Sequence, residues 1–305
     1  MTVKKIVNGS TDKIKNNPKI LAVPLIFNLL LYAYFHIVGF SVAGSFNFSL
    51  TLPSIPPKIT QVVEVKLPRF QEMALEMLNL SPSLNYEQFL EALSLENIIY
   101  ITAFIAVFSL LRSFIQGGFL GLIKNDFGGY KASFNGFLHN GRYFLIRLFL
   151  TQMLYFLLIT VFIVLLVGVV ATSDPMFALR GGLFFALGII TLAMLVIVLL
   201  LVFHEYAIVE NDTGVLDGIR RSYITVKTNV VETLKYLLVV AVIMLIGGAI
   251  TQLVAGISLV LAIVIFVPVG TVGIYIIYEL YRYLNRLVKT KAALGEDNYI
   301  SGEQA

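Results

Sequence analysis

The chain has 305 residues, 58% of them hydrophobic and 13% charged, with a formal net charge of +4. Soluble domains carry about a quarter charged residues, so half that fraction excludes an ordinary soluble domain and points to a membrane protein. The absence of cysteine excludes disulfides, thiolate metal sites and cysteine nucleophiles, and without tryptophan an interfacial aromatic belt must draw on 15 tyrosines and 23 phenylalanines.

Apolar segments near 20–42, 97–123, 143–171, 183–203, 234–255 and 258–284 are each long enough to cross a hydrocarbon core of about 30 Å, which takes about 20 helical residues. They are continuous and leucine-rich rather than alternating, so helices are expected and barrel strands are not. A lysine-rich tail (Lys4, Lys5, Lys13, Lys15, Lys19) leads into the first segment, where Asn28, Tyr32 and His36 share one face. VAGS at 42–45 offers a signal-peptide cleavage site, but the apolar stretch exceeds the roughly 7–15 residues of a signal core, so a retained span is expected.

Residues 45–96 then form an insertion between spans one and two. TLPSIPPKIT (51–60) is too proline-rich to be helical throughout. Beyond it, Phe70, Ala74, Met77 and Leu78 follow helical spacing, and Asn85 with Gln88 fits a capping box, so a helical cap outside the membrane is expected. That cap either rests its apolar face on the bundle or offers a docking surface.

Two connections resemble one another. Each has an Asn-Asp-x-Gly turn, at 125–128 and 211–214, followed by an amphipathic stretch: Phe134, Phe137 and Leu138 in one, Val215, Ile219, Tyr223 and Val226 in the other. Their 86-residue offset suggests a parallel repeat. Both stretches are expected to be surface helices, with Arg220, Arg221 and Lys227 meeting anionic lipid headgroups. The fifth and sixth spans, separated by QLVAGIS (252–258), should form a tight hairpin, and 287–305 forms the tail.

Basic residues orient the bundle. They crowd the N-terminal tail, the second connection (Lys124, Lys131, Arg142, Arg147), the fourth (Arg220, Arg221, Lys227, Lys235) and the C-terminal segment (Arg282, Arg286, Lys289, Lys291). Lys58, Lys66, Arg69 and Arg180 fall on the opposite side. The positive-inside rule puts both termini in the cytoplasm of a multi-pass cell-membrane protein.

Arg112 sits within the second apolar run. On a helical wheel Thr102, Ser109, Arg112, Ser113 and Gln116 share an arc of about 100°. An arginine near mid-membrane costs about 2.5–3.5 kcal/mol on the insertion scale unless it faces the bundle or water. Two readings stand: a snorkelled arginine paired with Glu205 or Glu279, or a binding group for an anionic headgroup, substrate or partner. Other polar groups within spans read as interhelical hydrogen bonds, Gly248, Gln252 and Gly256 as a small-residue seam, and Gly270 and Gly273 after Pro268 as close helix packing at a kink.

The basic lead-in NNPKILAVPLIFNLL (16–30), the passage IVENDTGVLDGIRRSYITVKTN after span four and the ending IYIIYELYRYLNR (274–286) resemble a broad group of six-helix membrane proteins of bacteria and archaea. That group includes the membrane domain found next to some glycerophosphodiester phosphodiesterases. The resemblance implies an architecture; it carries over no catalytic residue.

No HExxH, GxSxG, P-loop or paired metal-ligand spacing occurs, and His36, His139 and His204 are far apart. No catalytic, metal or cofactor residue is therefore expected, and the basic residues suit lipid rather than nucleic acid. The expected fold is an all-α, six-transmembrane-helix bundle, one membrane domain over 1–305, with two cytoplasmic amphipathic helices and an extracytoplasmic helical cap. The expected function is a non-enzymatic scaffold or accessory protein binding lipid or another membrane protein; the alternative is a small transporter or channel with a polar path along span two.

Overall fold

A computed structural model describes residues 3–38, 41–42, 52–61, 65–66, 95–172 and 182–293. The expected cap helices around Phe70 and Asn85, and the tail beyond 293, lie outside them. The chain is built from α1 (Val3–Asn16), a 3-10 turn (Pro18–Leu21), α2 (Ala22–Val38), α3 (Leu95–Phe127), α4 (Phe134–Thr172), α5 (Gly182–Leu200), α6 (His204–Asn211), α7 (Val215–Thr228), α8 (Val230–Ala255) and α9 (Leu259–Ala293). Two-residue strands β1 (Ser41–Val42) and β2 (Val65–Lys66) pair antiparallel. Among the described residues five helices are long and apolar enough to cross a membrane, and a sixth crossing is made if the pair bent by 89° at Asn17 counts as one span. The protein is a membrane-embedded, all-helical bundle.

Helix α9 is its axis. Ala262, Ile263, Phe266, Val267, Ile274, Tyr275, Tyr278, Tyr281 and Leu284 are buried, and α8, α1 and α2 pack along it. Around α5, by contrast, Phe185, Ile189, Leu192 and Leu195 stay exposed, as an all-apolar helix facing lipid requires. Between lipid and protein there is no hydrophobic driving force, so close backbone approach and hydrogen bonds hold such helices together. The α3–α4 crossing is a close one. A Cβ on Gly121 would lie 2.4 Å from the Asn140 side chain, and one on Gly118 2.5 Å from Phe137. The glycines of SLLRSFIQGGF and GLI thus serve helix packing.

Five features depart from the sequence expectations. The lysine-rich lead-in is a helix: Ile6, Ser10 and Ile14, spaced by four, form the buried face of α1 against α9. The stretch at Phe134 is no separate surface helix but the first turns of α4, because nothing in FNGFLHNGRYFLIRL breaks the run; α7, ended by Asn229, remains distinct. The two Asn-Asp-x-Gly turns also differ, since the left-handed residue is Gly129 (φ 85°) in the first and Asp212 (φ 57°) in the second. On α8 the close approach falls on Gly247, whose Cβ would meet Val269 at 2.4 Å, while a Cβ on Gly256 would meet no other helix within 4 Å.

The fifth departure concerns the prolines. Pro53, Ile55, Pro56, Pro57 and Ile59 are buried inside the bundle, the Ile55–Pro56 bond being cis. Gly270 and Gly273 receive this segment: added Cβ atoms would lie 2.5 Å from Pro57 and 3.0 Å from Pro53. These glycines therefore make room for a loop rather than for another helix. Asn28, fully buried, donates to the carbonyls of Pro24 (2.6 Å) and Pro57 (2.8 Å) and accepts from Ile59 N–H (2.7 Å). Asn28 lies six residues, about 9 Å, into α2, and Gly270 eleven residues, about 16 Å, into α9 from its opposite end. The loop whose ends pair at β1 and β2 re-enters the bundle to mid-depth. Its freed backbone groups need protein partners there, and Asn28 supplies them.

Candidate functional site

Arg112 lies on the edge of its 100° arc, and the structure divides that arc. Ser109, Ser113 and Gln116 are buried in the bundle. Ser113 Oγ donates to its own helix at the Ser109 carbonyl (2.7 Å), and Gln152 Nε2 on α4 donates to Gln116 Oε1 (2.9 Å). Gln116 also hydrogen-bonds Glu205 on α6. Arg112, on the α2 side, is exposed in a crevice lined by Phe27, Pro56, Lys58, Phe108, Leu111 and Ile115.

Neither expected ion pair forms among the described residues. Glu279 is turned to α1, where Ser10 Oγ donates to it at 3.3 Å. Glu205 is held by Gln116 and lies within electrostatic reach of Arg112, without an ion pair inside 4 Å. The charged neighbour that sequence reasoning missed is Lys58. Asn28 grips the backbone at Pro57 and Ile59, on both sides of that lysine, whose Nζ lies 5.6 Å from the Phe27 ring centroid and whose stem lines the same apolar crevice as that of Arg112. An asparagine within an apolar span and an x-Pro-Pro-Lys-x sequence were the available signals, but nothing local linked them.

Adjoining this crevice at Phe27 and Ile115 is a groove of about 590 Å³ between α2, α3 and the start of α4. Ala22, Val23, Ile26, Leu30, Leu122, Phe134 and Phe137 make its walls apolar, and Lys19 stands where α2 begins. From Lys19 to Leu30 it follows about 16 Å of helix.

A polar layer closes the end of the bundle that carries both termini. Asp126 accepts from Asn17 Nδ2 (2.8 Å) and Tyr275 O–H (3.0 Å). Glu210 accepts from Tyr278 O–H (2.7 Å) and pairs with Arg282 Nε (2.8 Å). Asn211 Nδ2 donates to Tyr281 Oη at 2.6 Å, and Lys124 Nζ to the Val209 carbonyl at 2.7 Å. Phe127 stacks on Tyr278, with Lys13 and Arg282 over its ring. Asp212 accepts from Tyr143 O–H and the Arg147 guanidinium, which hold its carboxyl below the usual carboxylate range. His204 is committed too: Val215 C=O accepts from Nε2 (3.0 Å), leaving Nδ1 to accept from Tyr155 O–H (3.2 Å). No three histidine, cysteine or acidic side chains converge as a metal set among the described residues.

The expected headgroup residues separate. Arg220 and Arg221 line a pocket of about 260 Å³ with Lys289, Asn285 and Asp217, whereas Lys227 lies over the Tyr223 ring at 5.5 Å.

Residues 1–290 match the model of a family described as a domain of unknown function, DUF7847. No curated protein and no solved structure matches. With nearly the whole chain covered, the protein belongs to that family.

Proposed function

We propose that this DUF7847 member is an integral membrane scaffold or accessory protein that carries a lipid between its first two spans. The observation behind this reading is the 590 Å³ groove, apolar along its length with one cation where α2 starts. An acyl chain lies along Val23, Ile26, Phe27 and Ile115 while an anionic headgroup meets Lys19. Such a site suits a six-span cell-membrane protein with cytoplasmic termini, the orientation its basic residues favour. Arg220, Arg221 and Lys227 add headgroup contacts on the same face, and the exposed apolar walls of α4 and α5 offer a surface to lipid or to a membrane-protein partner. The reading needs no enzymatic step.

Native mass spectrometry of protein released gently from membranes tests it, beside Ile26→Trp, which fills the groove, and Lys19→Gln. Wild type is expected to retain a lipid that Ile26→Trp loses. The same lipid load in both proteins would sink the reading.

The transporter alternative is carried less far. Burial of Ser109, Ser113 and Gln116, and the seating of Pro53–Ile59 beside α9, weigh against a water path along α3. On the lipid-carrier reading a cysteine at Ser109 or Ser113 stays unreactive toward a water-soluble thiol reagent; labelling at either favours transport.

A further inference from the structure

We propose that the pocket between α7 and the end of α9 is a binding site for a phosphate monoester. It shares no lining residue with the lipid groove, and it gives the headgroup contact ascribed to Arg220 and Arg221 a defined place. The pocket holds about 260 Å³. Each helix brings to it a buried polar side chain with a cation one turn away: Thr225 and Arg221 on α7, Asn285 and Lys289 on α9. Arg220 shares the lining, and Asp217 is its one carboxylate. The buried pair sets this place apart from an ordinary basic patch. Thr151, Thr251 and Thr271 give their hydroxyls to the carbonyl four residues back, at 2.9, 2.7 and 2.7 Å. Thr225 is 1% exposed, yet its Oγ1 has no hydrogen-bond partner among the described residues. Asn285 Nδ2 spends one N–H on Asn211 Oδ1 at 3.3 Å and keeps a second. A buried donor without an acceptor is costly, and a ligand in the pocket removes that cost.

These donors select the ligand. A hydroxyl and an amide N–H need acceptor oxygens, and the cations need negative charge; an oxyanion supplies both. Neither Arg221 nor Lys289 has an ion-pair partner within 4 Å among the described residues. A carboxylate presents two oxygens in one plane, whereas the donors here come from two helices. A phosphate monoester presents three terminal oxygens and close to two charges, which suits three cations beside one carboxylate. A phosphodiester has one such oxygen and one charge fewer, and fits less well. The monoester arrives either on a soluble molecule or as the headgroup of a lipid, since the pocket lies at the end of the bundle that carries both termini.

The test uses the full chain in phosphatidylcholine nanodiscs, with Arg221→Gln, Lys289→Gln and Thr225→Val as variants. The probes are glycerol 3-phosphate, dioctanoyl phosphatidic acid and, as the diester, dioctanoyl phosphatidylglycerol. Wild type is expected to bind a monoester at least about tenfold more tightly than the diester, and each variant to bind it about tenfold or more weakly. Lys289 is exposed, so its variant removes charge without touching the core. Glycerol 3-phosphate bound as well as phosphatidic acid identifies a soluble phosphate ester; phosphatidic acid alone identifies a lipid headgroup. Failure of wild type to bind either monoester overturns the proposal. So does unchanged binding in Lys289→Gln and Thr225→Val, or a diester bound as tightly as the monoesters, the mark of a diffuse basic surface. Ile26→Trp fills the groove and leaves this pocket intact, so it should bind the monoester as wild type does. Loss of binding there would put the ligand in the groove and overturn the proposal, whereas lipid lost from the groove with this binding kept leaves both readings standing.

Discussion

Replacing Asn28 by alanine removes the clamp on the re-entrant loop, and the cost follows from its bonds. Two of them reach the loop, to Pro57 C=O at 2.8 Å and from Ile59 N–H at 2.7 Å. Each is worth about 0.5–1.5 kcal/mol net. Ile59 is 1% exposed, so its amide then lacks an acceptor, at a further cost of about 1–3 kcal/mol. Water cannot replace the partner at that depth, and the total is about 2–6 kcal/mol. Asn28→Asp keeps an acceptor for Ile59 but sets a carboxyl oxygen against the Pro24 and Pro57 carbonyls at a buried site, so its loss should be at least that of alanine. Reversible unfolding in mixed detergent micelles measures the energies. Because the chain has no cysteine, Ser54→Cys provides a single label site in the loop, and its reaction with a water-soluble maleimide should quicken in the Asn28→Ala background. A destabilisation below about 0.5 kcal/mol with unchanged labelling would refute the reasoning.

Three other outcomes are expected. Gly121→Ala should destabilise the α3–α4 crossing by about 1–3 kcal/mol, because its Cβ would lie 2.4 Å from Asn140; the same micelle unfolding reads it. Gly270→Val, aimed at Pro57, should unseat the loop and raise Ser54→Cys labelling while leaving helix content by circular dichroism unchanged. Asp212 titrates below its unfolded value of about 3.9. Its contribution is therefore fully present above that value and is lost as pH falls through the folded pKa. Asp212→Asn should match wild-type pH dependence from pH 5 to 8 and flatten the acid limb below about pH 4; an unchanged acid limb would remove Asp212 from the account.

The spanning helices were legible because hydropathy over about 20 residues needs no knowledge of neighbours. Helix α1 was not: charge dominated its composition, and the spacing of Ile6, Ser10 and Ile14 acquires meaning once α9 is beside it. The start of α4 was misread for a related reason, since amphipathic turns that pack on α3 look in sequence like turns that lie on a membrane. Within the candidate site, Arg112 was conspicuous as a charge in an apolar run. Lys58 was not, because 54 residues separate the two and a proline-rich stretch reads as an external loop. Its entry depends on Asn28 and on glycines more than 200 residues further on, a pairing with no local signature.

That separation bears on how the chain is assembled. Asn28 and the prolines it clamps are synthesised more than 200 residues before the wall that receives them, Gly270 and Gly273 on α9. Until α9 is in position the loop lacks its seat, and Asn28 is an unattended polar group in the first span. Seating the loop is thus a closing event of folding, dependent on contacts across most of the chain's length and inherently slow to find. A chain truncated before residue 270 would keep its apolar helices but leave that loop without a home.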